Sequence, residues 1–348
     1  YPKNLSVQTS NTWQGWDHQL QAGTEKDVLH TTTEISESDA DDNTYLRGKE
    51  NYNETMRNGN VSLVSAKALT DSYVQLNTQW RKQQYKERYD REWLQLYAAS
   101  ANETIQRTYL TEQFELGLDW QRQPSEKAKG WLWQFTGLLR QERSHDNSLV
   151  NALSDEIYSV DIFTQRKTLT EQVMKLATQQ PALWWHPELG VELSYNRQHA
   201  DTLEQTVLTA TVREIRVEPY IAGKAQLNGH WQVYAKLTGE YASLQSETSH
   251  GYRTQNQYLK PLLKLSHSGL NGMQSTFNFL LMVDQLDFDD FIPTQDNNFG
   301  REQAGNAQLK PQQTLELSYQ LNFESDSDWA VNALLFWQKI NDIHEFVK

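Results

Sequence analysis

Along much of the chain, apolar and polar positions alternate with a period of two, the mark of an extended strand with one apolar and one wet face. Between Trp231 and Tyr241, the residues Trp231, Val233, Ala235, Leu237, Gly239 and Tyr241 share one face, while Gln232, Lys236, Thr238 and Glu240 share the other. The same period runs through Phe114, Leu116, Leu118 and Trp120, through Trp131, Trp133, Phe135 and Leu139, and through Leu189, Val191, Leu193 and Tyr195. It returns in Leu315, Leu317, Tyr319, Leu321 and Phe323, and Trp329, Val331, Ala333, Leu335 and Trp337 continue it. Such segments predict roughly 14 or 15 strands, most of about 9 to 11 residues, the length that crosses a bilayer at a tilt. Several open or close on an aromatic residue, as in Tyr73 to Trp80 and Trp231 to Tyr241, which places amphipathic rings where headgroups lie.

The connections differ in kind. Gln121 to Gly130, with Pro124, reads as a hairpin loop, and Ser268-Gly269-Leu270-Asn271-Gly272 as a tight turn. Thr24 to Asn58 and Asp284 to Gln312 are long and polar and read as loops. Short turns on one side and long loops on the other are the habit of outer-membrane barrels. Tyr85 to Ala98 and Leu169 to Thr178 are compatible with helix in composition, but neither carries clear caps.

Composition narrows the choice of class. The mean hydropathy is -0.77. Nowhere is there a run of about 18 apolar residues, which excludes a membrane-spanning helix and leaves a membrane barrel open, because a barrel spreads its signal over short alternating strands. Twelve Trp and 16 Tyr suit interfacial girdles, and would equally suit a sugar-binding β protein. The chain has no Cys, so disulfides, Cys-based zinc sites and thiol catalysis are excluded. A net charge of -13 argues against a nucleic-acid partner, which requires clustered Lys and Arg. The first residues show no basic region followed by an apolar core, so the chain is expected to be mature or an internal piece of a longer one.

Candidate chemistry is sparse. The nine His residues are scattered singly, so no metal site is expected, and no cofactor is implied. The acidic stretch Glu34 to Asn43 lacks the glycine and distal glutamate of an EF-hand loop and reads as an external loop. Asp287, Asp289 and Asp290 could suggest paired carboxylates, but adjacent residues in a strand or loop point apart and nothing places a second catalytic group near them, so a loop role is expected rather than acid and base catalysis. With no nucleophile elbow, phosphate-cradling glycine loop or His-Glu-x-x-His string, the chain is not expected to be an enzyme. Trp184, Trp185, Tyr252 and Tyr258 are candidate ligand-stacking rings, with the membrane girdle as their competing role.

At Gln285-Leu286-Asp287-Phe288-Asp289-Asp290-Phe291 and at Gly305-Asn306-Ala307-Gln308-Leu309-Lys310-Pro311-Gln312, the chain resembles the TonB-dependent receptors. In that family a long loop carries a Gly-Asn-x-x-Leu-Lys-Pro-Glu segment just before an alternating strand, and here Gln312 takes the place of the glutamate. Val212 to Tyr220 resembles one of the family's paired central strands, and Tyr258-Leu259-Lys260-Pro261 and Asn341-Asp342-Ile343 fit its later strand boundaries.

The resemblance implies an all-β, antiparallel transmembrane barrel, with residues 1–348 as an incomplete barrel portion of about 22 strands. The N-terminal plug and the C-terminal strands are then expected to lie outside this chain, which alone would leave unpaired edges and be unfit for transport. It also implies a receptor in the outer membrane of a Gram-negative bacterium that imports a siderophore, a vitamin or an oligosaccharide. Its partners would be outer-membrane lipid, that ligand, and a periplasmic energy-coupling protein acting through the plug. The loop residues Asp287, Asp290, Phe291, Gly305, Asn306 and Pro311 read as structural: Pro311 lacks an amide hydrogen and belongs at a strand entry, and Gly305-Asn306 supplies a turn able to take positive φ. Two other readings stay open, a non-transporting outer-membrane barrel and a secreted carbohydrate-binding β protein. The last requires the apolar faces to meet in a core, whereas either barrel turns them outward.

Overall fold

A computed structural model describes residues 3–38, 44–95, 101–123, 130–154, 157–203, 207–247, 251–269, 272–288, 294–296, 301–303, 310–324 and 329–342. Its strands, in chain order, are β1 (Lys3–Trp13), β2 (Trp16–Ser38), β3 (Thr44–Ala68), β4 (Ser72–Gln95), β5 (Ala101–Arg122), β6 (Leu132–Ser154), β7 (Ile157–Gln179) and β8 (Glu188–Leu203). They continue with β9 (Val207–Gln226), β10 (Trp231–Glu247), β11 (Tyr252–Ser268), β12 (Met273–Val283), β13 (Thr294–Asp296), β14 (Arg301–Gln303), β15 (Gln313–Glu324) and β16 (Ala330–Asn341). Fourteen of them form one antiparallel meander in chain order, and β13 and β14 form a small ribbon in the connection from β12 to β15. The sheet is open, with β1 and β16 at its edges.

The polar face of this sheet is the buried one. On β10, Thr238, Glu240 and Ser246 are buried, while Leu237 and Tyr241, one residue out of phase, are exposed. On β9 the pattern repeats: Glu214 and Arg216 are buried on either side of Ile215, which is 52% exposed. Burying charge while exposing leucine and isoleucine is unfavourable in water and correct in a bilayer, where the outside is hydrocarbon. A secreted β protein needs the opposite arrangement, so the fold is that of a transmembrane barrel wall.

The outer apolar band has a definite height. On β10 it runs from Trp231 to Tyr241, and at ~3.4 Å per residue with a strand tilt of ~40° this span rises about 26 Å, close to the ~25 Å band of outer-membrane barrels. Aromatic residues mark its limits. Trp80 lies opposite Phe114 at the upper limit on β4 and β5, and Trp13 lies opposite Trp16 at the lower one. At the lower end the strands are joined by short turns. Gln14 and Gly15, with φ of 51° and 75°, close β1 onto β2, a two-residue connection whose twist matches that of the strands. Gly272 also needs positive φ, and a Cβ there would meet the Glu324 carbonyl oxygen at 2.5 Å.

Most strands of the sheet exceed the expected 9 to 11 residues, β3 with 25 and β4 with 24, while β1 and β12 have 11. Thr24 to Asn58 is accordingly not a loop: β2 and β3 pair from Asp17↔Ala66 out to Ser38↔Thr44. Tyr85 to Gln95 lies in β4 and Leu169 to Thr178 in β7, so neither stretch is helical. Leu169 to Thr178 lies within the band at the short-turn end of β7, with Met174 and Leu176 exposed on its outer face; for the other two stretches the physical reason is the same. Beyond the band both faces meet water or polar neighbours, the apolar alternation that reveals a strand disappears, and backbone pairing alone carries the hairpin onward. The tight turn at Ser268 and the long connection from Asp284 to Gln312 stand as expected from sequence, the latter containing the β13–β14 ribbon.

Candidate functional site

Beyond the band, the inner faces of β3, β4 and β5 carry four tyrosines. Tyr52 and Tyr89 are directly opposite in register, with ring centroids 4.6 Å apart, and Tyr85 and Tyr109 repeat the arrangement at 6.4 Å. Charged groups run between the rings. The Tyr52 hydroxyl donates to Glu54 at 2.5 Å and to Glu87 at 3.3 Å. Arg91 bridges Glu50 at 2.6 Å and Glu103 at 3.2 Å, and Arg107 grips both carboxylate oxygens of Asp146. Burial pushes the Tyr52 phenol upward, helped by its hydrogen bond to Glu54, and burial likewise lifts the Glu87 carboxyl while Arg107 pulls it back. The result is a wall of aromatic planes and fixed hydrogen-bonding groups, suited to stacking on a planar or sugar ring and engaging its polar edge.

The first residues of the connection from β12 to β15, 284–288, fold onto the neighbouring inner face of β8, β9 and β10. The base of the connection is tied by the Asp284 amide donating to the Gln312 carbonyl at 2.9 Å and by the Gln312 side chain donating to Asp284 at 3.0 Å. Phe288 is 8% exposed and sits among Ala200, Ala210, Val212 and Leu244, an apolar socket in an otherwise polar inner face, with Leu169 and Leu286 beside it. The small side chains of Ala200 and Ala210 leave the room that the ring occupies. Gln285, in the amide orientation that satisfies both groups, accepts from Arg216. Beneath this segment lies a cavity of about 160 Å³ bordered by Tyr109, Glu142, Ser144, Lys167, Gln198 and Asp287. Sites for organic ligands usually occupy ~300–1,000 Å³, so with Phe288 seated the cavity is too small for a whole ligand.

Lower on the wall, buried charges pair with one another. Lys260 reaches Glu240 at 2.7 Å and Glu218 at 2.9 Å, and Arg216 lies 3.4 Å from Glu218. Such pairing is what permits charge on the inner face at all. No group of three or more metal-ligating side chains occurs among the described residues.

Comparison with solved structures finds the same architecture. The chain is similar to the alcaligin outer-membrane receptor FauA of Bordetella pertussis, with a TM-score of 0.50 over all of this chain at 12% identity. The two share the fold of an outer-membrane β-barrel. The chain spans 52% of the length of that receptor. No family model and no curated protein matches the chain.

Within this barrel, the residues singled out by sequence are dispersed. Trp184 and Trp185 lie in the short turn from β7 to β8, at the end away from the tyrosines; Trp184 is 71% exposed, and a Cβ on Gly223 would lie 2.8 Å from the Trp185 ring. Tyr252 and Tyr258 are on the inner face of β11, where Tyr252 lies opposite Ser246 and Tyr258 opposite Glu240. Asp287 borders the cavity, and Pro311 is buried just ahead of β15. Asp289, Asp290, Phe291, Gly305 and Asn306 lie outside the described residues, as do residues 39–43 of the acidic stretch. Sequence reasoning missed the tyrosine wall because Tyr52 falls in the stretch that reads as a loop, and Tyr85 and Tyr89 in the one with helix-compatible composition. The spacing Tyr85, Glu87, Tyr89, Arg91 was the available signal, since it puts all four on one face of a strand.

Proposed function

We propose that this chain forms barrel wall of an outer-membrane receptor that takes up a scarce nutrient, a siderophore, vitamin or oligosaccharide, with energy supplied through a periplasmic coupling protein. The long hairpins face outside the cell and the short turns face the periplasm, following the asymmetry general to such barrels. The ligand stacks on the tyrosine wall of β3–β5, and the coupling protein acts through a plug domain carried elsewhere in the natural protein. The observation that supports import over a passive barrel is the Asp284–Phe288 segment seated over a polar, aromatic-bordered cavity. An open pore has no need for an apolar socket holding a loop against its inner wall. Likeness to a siderophore receptor in fold adds to the reading, while leaving the nutrient class open.

Deletion of the gene, with uptake of labelled iron chelates, cobalamin and oligosaccharides measured in turn, tests this directly. Loss of uptake of one class, with uptake in the wild type stopped by collapsing the inner-membrane proton gradient while binding persists, is the expected result. Uptake indifferent to the gradient would establish a passive barrel instead.

A further inference from the structure

The outer face just above the apolar band carries opposed cations. On β8 and β9, Arg197 lies directly opposite Arg213, one outward position past Tyr195 and Ile215. On β1, β2 and β3, Lys3 lies opposite Lys26 and Lys26 opposite Arg57, on the outer face above Val61. Like charges opposite one another in a sheet are destabilising, and a sequence of net charge -13 has carboxylates to spare for such positions. Arg213 does pair with Glu247. Lys3, Lys26, Arg57 and Arg197 have no ion pair or side-chain hydrogen bond among the described residues, whereas Arg91, Arg107 and Arg140, on the inner face, are all engaged with carboxylates.

Height fixes what these cations meet. Arg197 stands two residues beyond Tyr195, and Arg57 four residues beyond Val61, so at ~3.4 Å per residue and ~40° of tilt they lie about 5 and 10 Å above the hydrocarbon. That layer holds lipid headgroups. Arginine forks match phosphate oxygens, and a phosphate between opposed cations removes their repulsion. We propose that this face is a docking belt for phosphate-bearing lipid headgroups of the leaflet at the long-hairpin end, seated against Arg197 and along Lys3, Lys26 and Arg57. The belt rests on the membrane reading of the band, but not on import.

Native mass spectrometry of the whole natural protein released from detergent tests it, with short-chain phosphatidylglycerol, short-chain phosphatidylcholine and inorganic phosphate as probes. Phosphatidylglycerol is expected to bind at least tenfold more tightly than phosphatidylcholine, with the preference shrinking as salt rises and falling to near unity in the variant K26Q/R57Q/R197Q. Equal binding of the two lipids, or an unchanged preference in the variant, would overturn the belt while leaving the apolar band intact. Binding of neither lipid would instead overturn the band on which the belt rests. Displacement of phosphatidylglycerol by millimolar inorganic phosphate would overturn a lipid source for the anion. Should the variant fail to fold, the salt titration of the wild type decides, because salt-insensitive preference is incompatible with a charge-read headgroup.

Discussion

Leu237 provides the sharpest test of the inverted packing. It lies on the outer face of β10, 42% exposed, opposite Ile221 on β9 and Pro261 on β11. From Trp231 it stands six residues up the strand and from Tyr241 four residues down, which at ~3.4 Å per residue and ~40° of tilt puts it about 16 and 10 Å from the two limits, near the midplane. An arginine at a barrel's lipid-facing midplane costs ~2–4 kcal/mol, and the cost falls to about 0–1 kcal/mol near the interface. Substituting a half-exposed leucine on a water-facing surface costs within ~0.5 kcal/mol. Leu237→Arg should therefore lower the equilibrium constant for folding into phosphatidylcholine vesicles by a factor on the order of 30 to 1,000. Ser243→Arg, on the same face beyond Tyr241, should change it by less than about fivefold. Urea titration with heat-modifiable gel mobility as the folding readout measures both. Equal effects at the two positions would refute the claim that the apolar face of this sheet meets hydrocarbon.

Three further outcomes follow from the inner wall. Phe288→Ala removes a nearly buried ring from its socket, a loss of about 3–5 kcal/mol when a core phenylalanine is truncated, so hydrogen exchange of the 284–288 amides should speed by at least a hundredfold while β8–β10 stay protected; unchanged exchange would show that the ring does not hold the loop. Gly190→Val would place a Cβ 2.5 Å from the Tyr220 ring that lies over it; displacing that ring, whose hydroxyl donates to Glu188 at 2.6 Å, should cost ~1–3 kcal/mol, read in the same urea titration. Glu87, in the hairpin extension outside the band, has its carboxyl raised by burial, so the folded hairpin binds that proton more tightly than the unfolded chain. Its contribution is full below the ordinary glutamate range of about 4.3 and is lost as pH rises through the folded value. Glu87→Gln should flatten the pH dependence of amide exchange in β3 and β4, and identical slopes in the two proteins would count against the buried carboxyl.

What the sequence determined by itself was local. Wherever one face is apolar, as from Trp231 to Tyr241 or Leu315 to Phe323, the period of two identifies the strand, its span of the membrane and its outward face, because side-chain alternation is a property of the extended backbone alone. The number of strands in the sheet was legible for the same reason. The extensions of β2, β3 and β4 were not, since a strand polar on both faces has no periodic signal, and its partner, as in Leu46↔Gln95, lies dozens of residues away. Convergence was decided only in three dimensions. Tyr52 meets Tyr89 through the register of one hairpin, and Phe288 finds Ala200, Ala210, Val212 and Leu244 because three strands set their small inner residues side by side. Local chemistry can name a strand and its faces; which inner residues become neighbours depends on register and curvature, which are shared by strands far apart in the chain.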